Sequence, residues 1–247
     1  MITLYDIPSA LPEMAWSLNT WRARYCLNYK HLPYKTEWIE YPDIEPHCKR
    51  LGIAPTSTRK DGTPYYSLPA IYDSTTDKYI ADSLKIAEYL DEMYPDTPKV
   101  FPEGTEMLQH AFLYAYNPLF DPIVKFIIPA TATRLNPVSE EYFTRTRTKR
   151  FGKPLKDVTP TGEEKEVEWK EFLEALDTLD GWFSKNKETK FITGNAPVWV
   201  DFVVGGELLW LKTIFRPDSD FWMELKEVNG GRWEKYLEDL QEWAVVI

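Results

Sequence analysis

The chain has 247 residues, enough for two modest domains each with its own core, and a net charge of −10 that argues against nucleic acid or an anionic membrane as partner. No run of about 18 apolar residues is present to cross a bilayer, and the two distant cysteines, Cys26 and Cys48, make neither a disulfide framework nor a metal-ligand pair, so no metal is expected. The N-terminal residues lack the basic start and long apolar core of a secretory signal, so a cytoplasmic location is expected.

In chain order, residues 2–5 read as a short strand and residues 7–18 as a loop. A helix from Asn19 or Thr20 to about Lys30 carries Trp21, Tyr25 and 27–29 at helical spacing, with Arg22, Arg24 and Lys30 expected outside. Residues 36–41 alternate like a strand, and Asp43 is placed to cap a short helix through Leu51. A loop spans 52–62. Strands at 69–73 and 78–81 form a hairpin, and a helix from Ser83 to about Tyr94 has the stripe Leu84, Ala87, Leu90, Tyr94. After the linker Pro95-Asp96-Thr97-Pro98 the β signals stop. Helical patterns follow at 105–134, broken by Pro118, Pro122 and Pro129, then at 139–151, 166–186, 199–215 and 231–244, with a surface loop at 152–166. This order predicts a βαβαββα unit over 1–96 and an all-helical unit over 97–247, an α/β plus all-α fold class.

Chemistry concentrates in two places. A proline at 69 opens an apolar strand, so either a tight turn or a cis Leu68-Pro69 bond is expected; the second leaves the Leu68 amide and carbonyl outside the sheet ladder. Beyond the hairpin, Asp82-Ser83 opens a helix, whose first turn presents unpaired N–H groups and positive potential. Together they suit a zwitterionic, peptide-like ligand. The other place is Trp16-Ser17-Leu18-Asn19-Thr20-Trp21, leading into the first helix, where hydroxyl, amide and helix start would each stabilise a bound thiolate. Each residue also has a plain capping role. Cys26, Cys48, His31, His47 and His110 fall in no catalytic pattern. The run Arg145, Arg147, Lys149, Arg150, Lys153, Lys156 reads as a solvated face, and Gly205-Gly206 as a tight helix contact. Ten Trp and fifteen Tyr furnish a core, an aromatic-lined pocket, or both.

The segments 2–6, 17–25, Asp82-Ser83 and 86–91 (Ile-Ala-Glu-Tyr-Leu-Asp) together resemble the cytosolic glutathione transferases over essentially the whole chain, which implies a thioredoxin-like N-terminal domain followed by a helical C-terminal domain. The match is to their etherase-like branch, which holds bacterial β-aryl ether-cleaving enzymes, and within it to the fungal-specific class A (FuA) enzymes of wood-decay fungi. The resemblance implies that Leu68, held by cis-Pro69, pairs with the cysteinyl unit of glutathione. It implies that Asp82 and Ser83 hold the γ-glutamyl group, and that Ser17, with Asn19 as helper or substitute, activates the thiol. Arg59, Lys60 or Lys49 would meet the glycyl carboxylate. Ser17 stands where cysteine-type transferases carry a thiol, so mixed-disulfide chemistry is disfavoured. A hydrophobic site is expected between the loop 7–18 and the later helices, with Trp16, Tyr114, Tyr116, Phe120, Phe126 and Trp210 as candidates. Implied partners are small aromatic or phenolic ligands, including lignin-derived ones, and a second copy of the chain. The rival expectation is a ligandin, a carrier with little turnover. Two positions depart from the pattern. Leu18 replaces a common proline, and Val198 replaces the usual Ser or Thr cap before Asp201, a loss of about 1 kcal/mol.

Overall fold

The computed structural model describes residues 1–185 and 188–247, so the last residue of the helix expected at 166–186 lies outside it. The first strand, β1 (Ile2–Asp6), is buried along its whole length because it is interior to a four-stranded sheet of order β2-β1-β5-β6. β2 (Tyr34–Trp38) lies parallel to it with Tyr34 opposite Ile2, and β5 (Ala70–Asp73) lies antiparallel with Ala70 opposite Tyr5. β6 (Lys78–Ala81) closes the edge. The parallel pair requires a crossover, which α1 (Leu18–Tyr29) supplies. α2 (Ile44–Leu51) ends at Gly52, whose φ of 71° is the left-handed cap that glycine adopts without strain. α3 (Ser83–Met93) follows β6 and packs beside α1. This is the thioredoxin-like arrangement. Pairing with β1 places the second strand two residues before the alternating run at 36–41, since Tyr41-Pro42-Asp43 winds into a 3-10 turn. The stretch read as a loop from residue 52 contains part of a small hairpin, β3 (Ser57–Thr58) with β4 (Pro64–Tyr65).

Helix α1 departs from its expected amphipathicity. Arg24 and Lys30, expected on an outer face, are buried, and Arg22 is half-buried. α1 is enclosed between the sheet, α3 and a later helix, so its cations must find partners inside. Arg24 pairs with Asp6 at 2.7 Å and also donates to Tyr34 and Thr36, while Lys30 pairs with Asp91 at 2.6 Å. A buried charge persists only when paired in this way.

The second half is helical: α4 (Glu106–Tyr116), α5 (Val124–Ala132), α6 (Pro137–Phe151), α7 (Gly162–Phe183), α8 (Trp199–Phe215), α9 (Asp220–Leu225) and α10 (Arg232–Asp239). Pro118 falls in a 3-10 turn after α4, Pro122 in the turn before α5, and Pro129 inside α5. α7 begins four residues before its expected start, because its polar first turn, with Glu163 and Glu164 at the positive helix end, precedes the apolar stripe. α9 had no expectation, and the last helix is shorter than the pattern at 231–244, giving way to a 3-10 turn at Gln241–Trp243.

Almost every residue of α8 is buried, and it packs on α1. Gly206 permits this: a Cβ there would stand 2.9 Å from the Leu18 carbonyl oxygen, a backbone atom that cannot step aside. The Gly205-Gly206 pair is therefore a helix contact. Valine has no side-chain acceptor, so at the start of α8 only the reciprocal half of a capping box forms, with Asp201 accepting from the Val198 amide at 2.8 Å. Asp201 also accepts from the Ile192 amide and the Tyr236 hydroxyl. Burial pushes its carboxyl up to about 6 although all three donors pull it down. Past α10 the chain returns to the first unit, where the Asn28 amide donates to the Trp243 and Val245 carbonyls at 2.7 and 2.8 Å.

Candidate functional site

The first residues of α1 and α3 come together at one end of the sheet. The Leu68-Pro69 bond is cis, and Leu68 precedes the ladder, which begins at Ala70. Ser17 caps α1 with its backbone only: its carbonyl accepts from the Thr20 hydroxyl at 3.0 Å and the Trp21 amide at 2.9 Å, while its side chain makes no capping bond. Asp82 sits at φ 85° and ψ 128°, a positive-φ backbone outside the left-handed helical well. Its Oδ1 accepts from both the Leu84 and Lys85 amides, at 3.0 and 3.3 Å, so neither capping bond uses Oδ2. Ser83 follows, buried at the first position of α3.

Ser17, Asn19, Leu68, Pro69, Asp82 and Ser83, drawn from three separated stretches, all line a single cleft of about 340 Å³. A volume of this order accepts a small ligand. The cleft therefore offers a hydroxyl and an amide at one helix start, and a carboxylate with a hydroxyl at another. Cys26 and Cys48 are buried elsewhere, and burial pushes both thiols up, away from reactive thiolate.

The far wall is built from residues distant in the chain. Glu40 accepts from the Asn136 amide at 2.7 Å and from the Ser139 hydroxyl, and Ser139 accepts from the Tyr41 amide at 2.8 Å. These bonds fasten the start of α6 to the segment before α2 and bring Tyr142 and Arg147 into the cleft lining beside Tyr41. Tyr41 and Tyr142 stack with ring centres 6.0 Å apart. Arg147 lies over Phe143 at 4.2 Å and over Tyr41 at 5.7 Å, and its Nε has no hydrogen-bond partner among the described residues. This corrects the reading of the basic run as one solvated face. Arg145, Lys149, Arg150, Lys153 and Lys156 are exposed, but Arg147 turns inward. The available signal was Phe143 four residues before Arg147, which puts ring and guanidinium on one helix face.

The cations proposed for the glycyl end differ in their commitments. Glu45 binds Lys49 at 2.7 Å and Arg59 at 3.2 Å, and those two bonds hold its carboxyl below the usual range. Arg59 also donates to the Pro64 carbonyl. Lys49 and Lys60 are not part of the lining, whereas Arg59 is. Arg147 has no carboxylate partner among the described residues.

The six aromatic candidates do not meet in one cavity, and none lines this cleft. Tyr116 and Phe120 pack on each other and Phe120 on Phe172, while Phe126 packs against Trp169 and Phe221, all in the helical core. Trp210 is buried in α8, and Tyr114 is 86% exposed on α4. Trp16, also buried, has its ring 6.3 Å from that of Tyr41, which lines the cleft. Helical spacing identifies an apolar residue but not whether it faces core, pocket or solvent.

Comparison with known proteins matches the glutathione S-transferase N-terminal domain to residues 16–93 and the glutathione S-transferase C-terminal domain to residues 107–243. A glutathione S-transferase-like protein of Aspergillus flavus, ustS, is 33% identical across 98% of this chain and 94% of its own. The crystal structure of the glutathione S-transferase CsGST63524 of Ceriporiopsis subvermispora in complex with glutathione superposes with a TM-score of 0.94 at 41% identity, covering 100% of this chain and 98% of that one. The glutathione transferase GSTFuA3 of Phanerochaete chrysosporium superposes with a TM-score of 0.93 at 36% identity, with the same coverage.

Proposed function

Because the chain belongs to the glutathione S-transferase family, we propose that its cleft binds glutathione and presents the thiolate to hydrophobic aromatic electrophiles, in the serine-type manner of the etherase-like FuA enzymes. The observation that carries this reading is the convergence of Ser17, Asn19, Leu68, Asp82 and Ser83 on one cleft at two helix starts. Asp82 Oδ2 meets the γ-glutamyl ammonium, and the Ser83 hydroxyl and the start of α3 meet its carboxylate. The Leu68 backbone pairs with the cysteinyl unit. Ser17 Oγ–H donates to the sulfur, with Asn19 and the start of α1 adding to the stabilisation of thiolate. The sulfur then attacks the electrophile: a C–S bond forms, and the displaced group, a phenolate in an aryl ether, leaves with the bonding pair.

Arg147 is assigned here to the glycyl carboxylate, because it is the cleft cation free of an acidic partner among the described residues. Calorimetric titration with glutathione tests both statements. Micromolar to low-millimolar binding that weakens roughly tenfold in Arg147→Ala is expected, the usual effect of a lost charge-assisted bond. Absence of binding to the unaltered protein refutes the transferase reading, and unaltered affinity in the variant refutes the role of Arg147.

The tyrosines at 41, 65, 66 and 142 give the cleft an aromatic wall, which suits phenolic and lignin-derived compounds and equally favours a carrier. Turnover of aryl electrophiles at rates above the solution reaction supports the enzyme. Tight binding of the same compounds without turnover supports the carrier.

Met107, Leu108 and Tyr114 leave an exposed apolar patch on α4. We assign it to contact with a second copy of the chain, since an apolar patch on one helix face is costly to leave in water. Sedimentation is expected to give twice the 29.0 kDa chain mass, and Leu108→Lys to give the single-chain mass. A wild-type monomer at micromolar concentration refutes the assignment.

A further inference from the structure

Asn19 is one of the residues lining the cleft, and its Oδ1 accepts from Arg22 Nη1 at 2.9 Å. A guanidinium has no acceptor, so the amide atom facing it must be the oxygen, and the group that Asn19 can offer to the cleft is its NH2. Arg22 Nη2 in turn donates to Glu207 Oε2 at 3.2 Å, across the α1–α8 contact. Glu207 is 6% exposed and adjoins Gly206, whose missing side chain lets α8 lie against the first turn of α1. The pair is thus built into the contact between α1 and α8. Burial raises the Glu207 carboxyl to about 7 while Arg22 pulls it down, and among the described residues Tyr116 also lies against the pair.

We infer that Arg22, anchored by Glu207, is a positioning residue that locks the Asn19 amide with its NH2 toward the sulfur of bound glutathione. Without the fork, the amide is free to turn its oxygen toward the sulfur, which would repel thiolate. The inference rests on the glutathione reading above. It joins the helical unit to the thiol through three side chains, and the two ends of that chain lie 188 positions apart, from Asn19 to Glu207.

Two explanations make opposite predictions. If the pair acted only through its charges, removing the Glu207 carboxylate would strengthen the positive potential of Arg22 and make the bound thiol more acidic. If it positions Asn19, removing the anchor makes the thiol less acidic. The test is the pKa of bound glutathione from its ultraviolet thiolate absorbance. Glu207→Met and Arg22→Lys should each lower the thiolate-to-thiol ratio near neutral pH roughly three- to tenfold, a shift of about half to one pKa unit. Lysine keeps the charge but lacks the planar fork. Glu207→Gln, which retains an acceptor, should stay near the unaltered protein. On an Asn19→Ala background neither substitution should lower the ratio further. A more acidic or unchanged thiol in Glu207→Met, or an unchanged one in Arg22→Lys, overturns the inference, as does an undiminished loss without Asn19. Failure of the unaltered protein to bind glutathione is a separate result and refutes the underlying reading instead.

Discussion

Replacing Asp82 by asparagine is expected to leave the protein folded and to weaken glutathione binding by about ten- to a hundredfold. The fold survives because asparagine keeps the shape of the aspartate side chain and its amide oxygen can still accept from the Leu84 and Lys85 amides as Oδ1 does now. Binding suffers because the γ-glutamyl ammonium loses its counter-charge. A charge-assisted hydrogen bond of this kind contributes about 1.5–3 kcal/mol, and each 1.4 kcal/mol is roughly tenfold in affinity. Calorimetry gives the affinity, and thermal denaturation without ligand gives the stability. Alanine is the contrasting variant, since it also removes the cap and should cost about 1 kcal/mol of stability. Unchanged affinity in Asp82→Asn, with the melting temperature retained, would remove Asp82 from the ligand site and leave it only a capping role.

The second large effect is expected at Ser17. Its structural bonds are made by its carbonyl, so Ser17→Ala should fold normally and bind glutathione with little change. The bound thiol should rise by about one to two pKa units, because a hydroxyl donor to the sulfur is lost while the helix start and Asn19 remain. Turnover at neutral pH should fall roughly ten- to a hundredfold with KM nearly constant, the pattern of a group that acts on the reacting atom. An unaltered thiolate signal would transfer activation to Asn19 and the α1 terminus. A parallel loss of affinity and activity would mean that Ser17 serves binding.

Much of the candidate cleft was legible because its chemistry is local. Leu68-Pro69, Asp82-Ser83 and Ser17 with Asn19 each occupy a few consecutive residues at a turn or helix start, where backbone sterics and capping leave a visible residue preference. The βαβαββα order and the helical second half followed from periodicity for the same reason. Errors appeared wherever an answer depended on a distant neighbour. The second strand lies at 34–38 because β1 sets the pairing range, and no property of residues 36–41 alone reveals it. Arg24 and Lys30 read as surface cations, yet Asp6 and Asp91 supply partners that make their burial tolerable.

The amino-acid sequence by itself therefore determined the family, the order of elements and the short motifs that open α1 and α3. Tertiary structure alone decided which of many aromatics and cations reach the cleft. Tyr116, Phe120 and Phe126 went into the helical core, and Tyr41, Tyr142 and Arg147 became its wall. The physical reason is separation along the chain. Tyr41 meets Tyr142, and Asn19 is tied to Glu207, only because packed helices bring together residues that share no local pattern, and apolar spacing is the same whether a side chain meets core, ligand or water.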